Sequence, residues 1–131
     1  MSDEVITFTS PLIFFLGAII MSKQKITTID QFQSVLNEQG SFLLLKHSVT
    51  CPVSRSAFEA VDHFSLNNEE IKTYYLVVQE AKPLSNYISE TFQIKHESPQ
   101  AFLFKDKQAI WNTSHWNITN DQLTKEVEKV K

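Results

Sequence analysis

The stretch Leu43-Leu44-Leu45-Lys46-His47-Ser48-Val49-Thr50-Cys51-Pro52-Val53-Ser54 constrains this chain more than any other. An apolar run of strand character passes through a short polar turn into a cysteine, and proline follows at the first position of a predicted helix. Proline is tolerated there because the N–H it lacks has no partner in the first turn of a helix. Val53, Ala57, Phe58, Val61 and Phe64 recur at spacings of three and four, the apolar stripe of a helix laid on a core. Cys51 therefore faces unpaired backbone N–H groups and the positive end of the helix dipole, a setting that favours a thiolate. A lone cysteine is also, and more commonly, a small buried hydrophobe. The local sequence leaves both roles open.

Cys51 is the single cysteine in 131 residues. It has no partner for an internal disulfide, so a disulfide-framed extracellular domain and a thiolate zinc site are both excluded. Any disulfide that Cys51 makes joins it to another molecule, either a second protein or a small thiol. The formal net charge of −3 argues against nucleic acid as a partner, since phosphate binding needs a basic surface. Two glycines in the whole chain leave no Gly-rich phosphate loop. Four scattered histidines without a paired spacing do not outline a metal site.

Residues 1–21 read as an apolar N-terminal extension ahead of a single domain over 22–131. From Val5 to Ser22 there is no charge, yet the run is short for a membrane span and is broken by Thr7, Thr9, Ser10 and Pro11. Its acidic start, Asp3 and Glu4, is unlike a secretory signal. Three readings stand: a start extended beyond a natural one at Met21, a membrane-associating segment, or an ordered added element. Even as an anchor, Lys23 and Lys25 after the run would keep the domain in the cytoplasm. A membrane partner is not expected.

Further along, Lys25-Ile26-Thr27 allows a short strand, and Thr28-Ile29-Asp30-Gln31 has the spacing of a capping box before a helix that Gly40 would stop. Lys72–Val78 is a second central strand, and Pro83 opens a helix carrying Leu84, Ile88 and Phe92. Gln100–Lys105 and Ala109–Ser114 form an antiparallel hairpin about Asp106-Lys107. Thr119-Asn120-Asp121-Gln122 repeats the capping-box spacing before a last helix with Leu123, Val127 and Val130. Strands joined through a helix are expected to be parallel. The order is α, β, α, β, α, β, β, α, with a short leading strand allowed.

This order, with cysteine opening the helix after a central strand and Ser98-Pro99 just before the hairpin, resembles the thioredoxin fold. The resemblance implies an α/β domain whose central mixed sheet of four to five strands is flanked by helices, with a cis-proline at Pro99 facing the cysteine. Thr50-Cys51-Pro52-Val53-Ser54, His96-Glu97-Ser98-Pro99-Gln100 and Ser114-His115-Trp116-Asn117-Ile118-Thr119, in that order, further resemble the bacilliredoxin family of YtxJ-like monothiol proteins over about residues 25–131. Val53 stands where the family usually has isoleucine.

That resemblance implies a cytoplasmic monothiol–disulfide oxidoreductase that removes bacillithiol from protein mixed disulfides and forms a bacillithiol adduct on Cys51. No cofactor is bound; bacillithiol serves as thiol co-substrate. The partners implied are bacillithiolated client proteins, bacillithiol itself, and another redoxin as reductant. Cys51 would be the nucleophile. Ser54 stands where a dithiol redoxin has its resolving cysteine, and its hydroxyl would either donate to the thiolate or cap the helix. Ser98 and Pro99 would present backbone groups to the substrate, with Thr50 and Pro52 flanking the thiol. Arg55 adds positive potential or is simply solvated. His96 and His115 would reach bacillithiol's carboxylates or sugar, or be structural; Trp116, like Trp111, would stack on ligand or pack the hairpin. The rival reading is a non-enzymatic thioredoxin-fold module that binds a partner and uses Cys51 as a redox sensor.

Overall fold

Strand β2, Ser41–His47, sets the frame, because its side chains alternate between two apolar faces. Phe42 and Leu44 join a core with Phe32, Tyr74, Leu76, Leu84, Ile88, Phe102 and Phe104; Leu43 and Leu45 join another with Ala57, Val61, Phe64, Leu103, Leu123 and Val127. A strand apolar on both sides must be covered on both. The computed structural model describes residues 23–131, and it shows both faces covered by helices.

Five strands form one mixed sheet in the order β1-β3-β2-β4-β5. They are β1 (Gln24–Lys25), β2, β3 (Lys72–Val77), β4 (Gln100–Lys105) and β5 (Gln108–Ser114). Helices α1 (Ile29–Glu38) and α3 (Lys82–Phe92) cover the aromatic face, where Phe32, Phe42, Phe92 and Phe104 pack ring against ring. Helices α2 (Pro52–Asn67) and α4 (Asn120–Glu128) cover the aliphatic face. A 3₁₀ turn, His115–Asn117, links β5 to α4 and packs against α2.

The local signals act largely as read. Thr28 caps α1 with the full box: its hydroxyl accepts the Gln31 N–H, and the Gln31 side chain accepts the Thr28 N–H. Thr119 accepts the Gln122 N–H at the start of α4. Such caps contribute about 1 kcal/mol each. The hairpin turns through Asp106 and Lys107, both at positive φ (51° and 67°), the geometry of a two-residue turn matched to strand twist.

Two expectations fail. Gly40 is not the helix stop, because α1 ends at Glu38 and its C-cap, Gln39, is extended (φ −102°, ψ 131°). The left-handed C-cap belongs instead to Gln93, after α3. Secondly, β4 is antiparallel to β2 although α3 precedes it, whereas β2 and β3 are parallel. Past α3 the chain returns through residues 93–99 to the end of the sheet where β3 finished, and enters β4 with Gln100 opposite Lys46. This reversal carries the Ser98–Pro99 bond, which is cis, to the carboxyl end of β2, from which the Cys51 loop leaves. The apolar extension over residues 1–21 lies outside the described residues.

Candidate active site

Cys51 is the N-cap of α2, with extended backbone (φ −110°, ψ 122°), and its carbonyl accepts the Arg55 N–H at 3.1 Å to start the helix. No side-chain cap bond occupies that helix end. Pro52 follows inside the first turn, as its fixed φ allows. The thiol is free and half-buried. It opens on a depression of about 570 Å³ lined by residues 47–52 with Arg55 and Phe58.

Ser54 is fully buried, and its hydroxyl turns back to the end of β2. Ser54 Oγ accepts the Ser48 N–H at 2.8 Å and lies 2.9 Å from His47 Nδ1. Burial, then the nearby Lys23 ammonium, pushes the His47 pKa below its ordinary value, with a hydrogen bond to the Ser54 backbone acting the other way. His47 is therefore mostly neutral at pH 7, with Ser54 Oγ against its Nδ1. Its ring lies 4.5 Å, centroid to centroid, from Phe58, over which the Lys23 ammonium sits at 3.5 Å. Lys23 also pairs with Asp62 at 3.1 Å.

Gln79, just beyond β3, stitches the loop down. Its Nε2 donates to Ser48 Oγ at 2.9 Å and Thr50 Oγ1 at 3.5 Å, while its Oε1 accepts the Val49 N–H at 3.3 Å. The loop ahead of the thiol is thus held from both neighbouring elements, so its backbone needs little ordering when a partner binds.

Of the residues singled out from sequence, the structure brings Thr50, Cys51, Pro52 and Arg55 into one depression. Ser98, Pro99, His115 and Trp116 do not line it. They form a second group at the same end of the sheet: the His115 N–H donates to the Pro99 carbonyl at 3.1 Å, and His115 Nε2 lies 3.9 Å from Glu97. Ser98 Oγ is buried without a hydrogen-bond partner. Trp116 is 69% exposed, so it is not core, whereas Trp111 packs half-buried against the aliphatic face.

Sequence reasoning missed His47, Gln79 and Phe58 as parts of the site, and it missed Lys46. A signal for Lys46 existed: a charged residue on the same face of β2 as Phe42 and Leu44. It is fully buried, and its ammonium donates to the Ser85 carbonyl (3.0 Å), Ser89 Oγ (3.0 Å) and His96 Nδ1 (3.1 Å). Burial pulls its pKa down to about 8. The His96 pKa is lowered as well, by burial first and the Lys46 charge second, against an opposing pull from Glu97.

A mixed five-stranded sheet with helices on both faces, a cysteine opening the helix after the central strand, and a cis-proline entering the next strand define a thioredoxin-fold protein. Solved structures agree. One, described as a candidate oxidoreductase with a thioredoxin fold, is 38% identical, with a TM-score of 0.77 over 82% of this chain and 96% of its own. A Fasciola hepatica thioredoxin (14% identical, TM-score 0.69, 82% and 99% covered) and a mutant thioredoxin of Entamoeba histolytica (20%, 0.66, 81% and 97%) share the fold. The family model for monothiol bacilliredoxin BrxC matches residues 24–123, and the chain belongs to that family.

Proposed function

We propose that the protein is a cytoplasmic monothiol–disulfide oxidoreductase that removes bacillithiol from protein mixed disulfides. The observation that carries this reading is the pairing of Cys51 with Ser54. The thiol stands at an uncapped helix N-terminus, and the position one turn on holds a buried hydroxyl already committed to His47 and Ser48. No disulfide can close between the two, so exchange at Cys51 is intermolecular at every step.

In the cycle, the Cys51 thiolate attacks the bacillithiol sulfur of a bacillithiolated client. The client S–S bond breaks, the client cysteine leaves as a thiolate that takes a proton from water, and a Cys51–bacillithiol disulfide forms. A second thiol, bacillithiol or a redoxin, then attacks the bacillithiol sulfur and releases Cys51. That thiol leaves joined to bacillithiol by a new disulfide, so the cycle moves the client's disulfide onto it with no net change in oxidation state. Thr50 and Pro52 frame the approach. The backbone at Ser98 and cis-Pro99 supplies hydrogen bonds to an extended segment of the client. His115 positions that loop through the Pro99 carbonyl, and exposed Trp116 offers apolar area beside it.

The test is intact-mass analysis after mixing the reduced protein with a bacillithiolated reporter. The wild type should acquire one bacillithiol on Cys51 while reporter thiol appears in parallel, and Cys51→Ser should do neither. A folded, reduced wild type that gains no adduct and releases no thiol would show that the domain is a binding or sensing module instead.

A further inference from the structure

Beside the Cys51 depression lies a second one of about 340 Å³, lined by Val78, Gln79, Lys82, Ser85, Asn86 and His96. Gln79 stands between the two, since it lines this one and hydrogen-bonds to Ser48, Val49 and Thr50, which line the first. Gln79 therefore forms a wall shared by the Cys51 loop and this depression.

The chemistry of the second depression is cationic. Beneath it, the fully buried Lys46 ammonium is held by a carbonyl, a hydroxyl and an imidazole nitrogen, and among the described residues it has no carboxylate partner. Lys82 on the rim has no carboxylate partner among them either. Glu80 is paired with Lys25 and Glu97 with Lys95 and His115, although the Glu97 charge also reaches His96. Because Lys46 donates to Nδ1, neutral His96 carries its proton on Nε2, the nitrogen on the far side of the ring from Lys46. Asn86 adds an amide donor. A buried cation without a counter-charge, below a rim of N–H donors, attracts an anion with planar acceptor oxygens.

We infer that this second depression seats the carboxylate arm of the small thiol whose sulfur is exchanged at Cys51, with Lys82 and the His96 Nε2–H as its direct ligands and Lys46 as the positioning residue that fixes the His96 tautomer. The inference rests on the reading of Cys51 as a thiol–disulfide exchange site and specifies which small thiols it accepts: acidic ones.

The experiment follows loss of the free Cys51 thiol in the full-length protein against two small disulfides of similar size, the dicarboxylate dithiodipropionate and the neutral hydroxyethyl disulfide. Any accessible thiol gives a readable rate with each. The wild type should favour the dicarboxylate by about tenfold, the scale of one hydrogen bond to a charged group. Lys82→Gln and His96→Gln, both at exposed positions, should each bring the ratio towards unity, while Lys107→Gln in the distant hairpin turn should leave it as in wild type. A wild-type ratio near one overturns the inference. So does a ratio that survives both variants, or one that Lys107→Gln lowers equally, since that reports net charge only. Because neither probe is bacillithiol, failure of this ratio and failure of bacillithiol transfer to Cys51 are separate results.

Discussion

Lys46 and His47 are neighbours in β2 whose side chains leave the sheet on opposite faces, and each ties a helix to the carboxyl end of that strand. His47 reaches α2 through the Ser54 hydroxyl and the Phe58 ring. Lys46 reaches α3 through the Ser85 carbonyl and Ser89 hydroxyl, and the cis-proline loop through His96. Burial acts on both in the same direction, against the charged form. The outcome differs because their unperturbed values differ. His47 becomes neutral and gives the thiol an uncharged wall, whereas Lys46, at about 8, stays mostly protonated at pH 7 and leaves a cation under the adjoining depression. One strand end thus presents two electrostatic environments, separated by the thickness of the sheet.

The sharpest way to break this comparison is to titrate stability through the Lys46 range. Its pKa is about 8 in the fold against 10.5 in the unfolded chain. Between those values the unfolded chain holds the extra proton, so stability rises with pH there; below pH 8 the full cost of the buried charge is present. From pH 7.5 to 10 the wild type should gain about 2–3 kcal/mol relative to Lys46→Met, measured by urea denaturation of both. The scan stops at 10 because Tyr74, whose pKa burial raises, works in the opposite direction above it. Parallel curves for the two proteins would show that burial does not lower the Lys46 pKa.

A smaller effect separates the two serine anchors. Ser54→Ala leaves the Ser48 N–H and His47 Nδ1 without their partner in a buried setting and should cost about 2 kcal/mol. Ser89→Ala removes one of three acceptors from Lys46 at a half-buried position and should cost about 1 kcal/mol. Equal losses in denaturant midpoints would remove the distinction. The smallest change is electrostatic. Lys23→Met should move the His47 titration upwards, read from its ring resonances, because one of the two causes lowering it is gone. With the His47 pKa below 6.5 in the fold, the unfolded chain takes up the proton first as pH falls. Wild-type stability should therefore decline as pH drops through 6.5, and less steeply in Lys23→Met.

The parts of this site that were legible in the sequence are those whose cause is local. Cys51-Pro52 at a helix start, the Thr28 box and the Asp106-Lys107 turn each follow from the conformations of a few adjacent residues, and the structure has all three. The alternation of Leu43, Leu44 and Leu45 between two cores follows from strand geometry alone. Gly40 misled because a glycine permits a left-handed turn without requiring one, and Gln93 adopted it instead.

By itself, then, the sequence determined that one thiol sits at one helix N-terminus after a buried strand, and that its disulfides are intermolecular. Periodicity, capping residues and a cysteine count of one suffice for that, since each is a property of neighbours along the chain. Only the tertiary structure decided the direction of β4, the bond from Ser54 to His47 and Ser48, the clamp of Gln79 on the loop, and the burial of Lys46 against Ser85, Ser89 and His96. Lys46 and His96 are 50 residues apart along the chain and 3.1 Å apart in space. Their ionisation depends on what surrounds them once water is excluded, and no pattern in a single strand or helix encodes that.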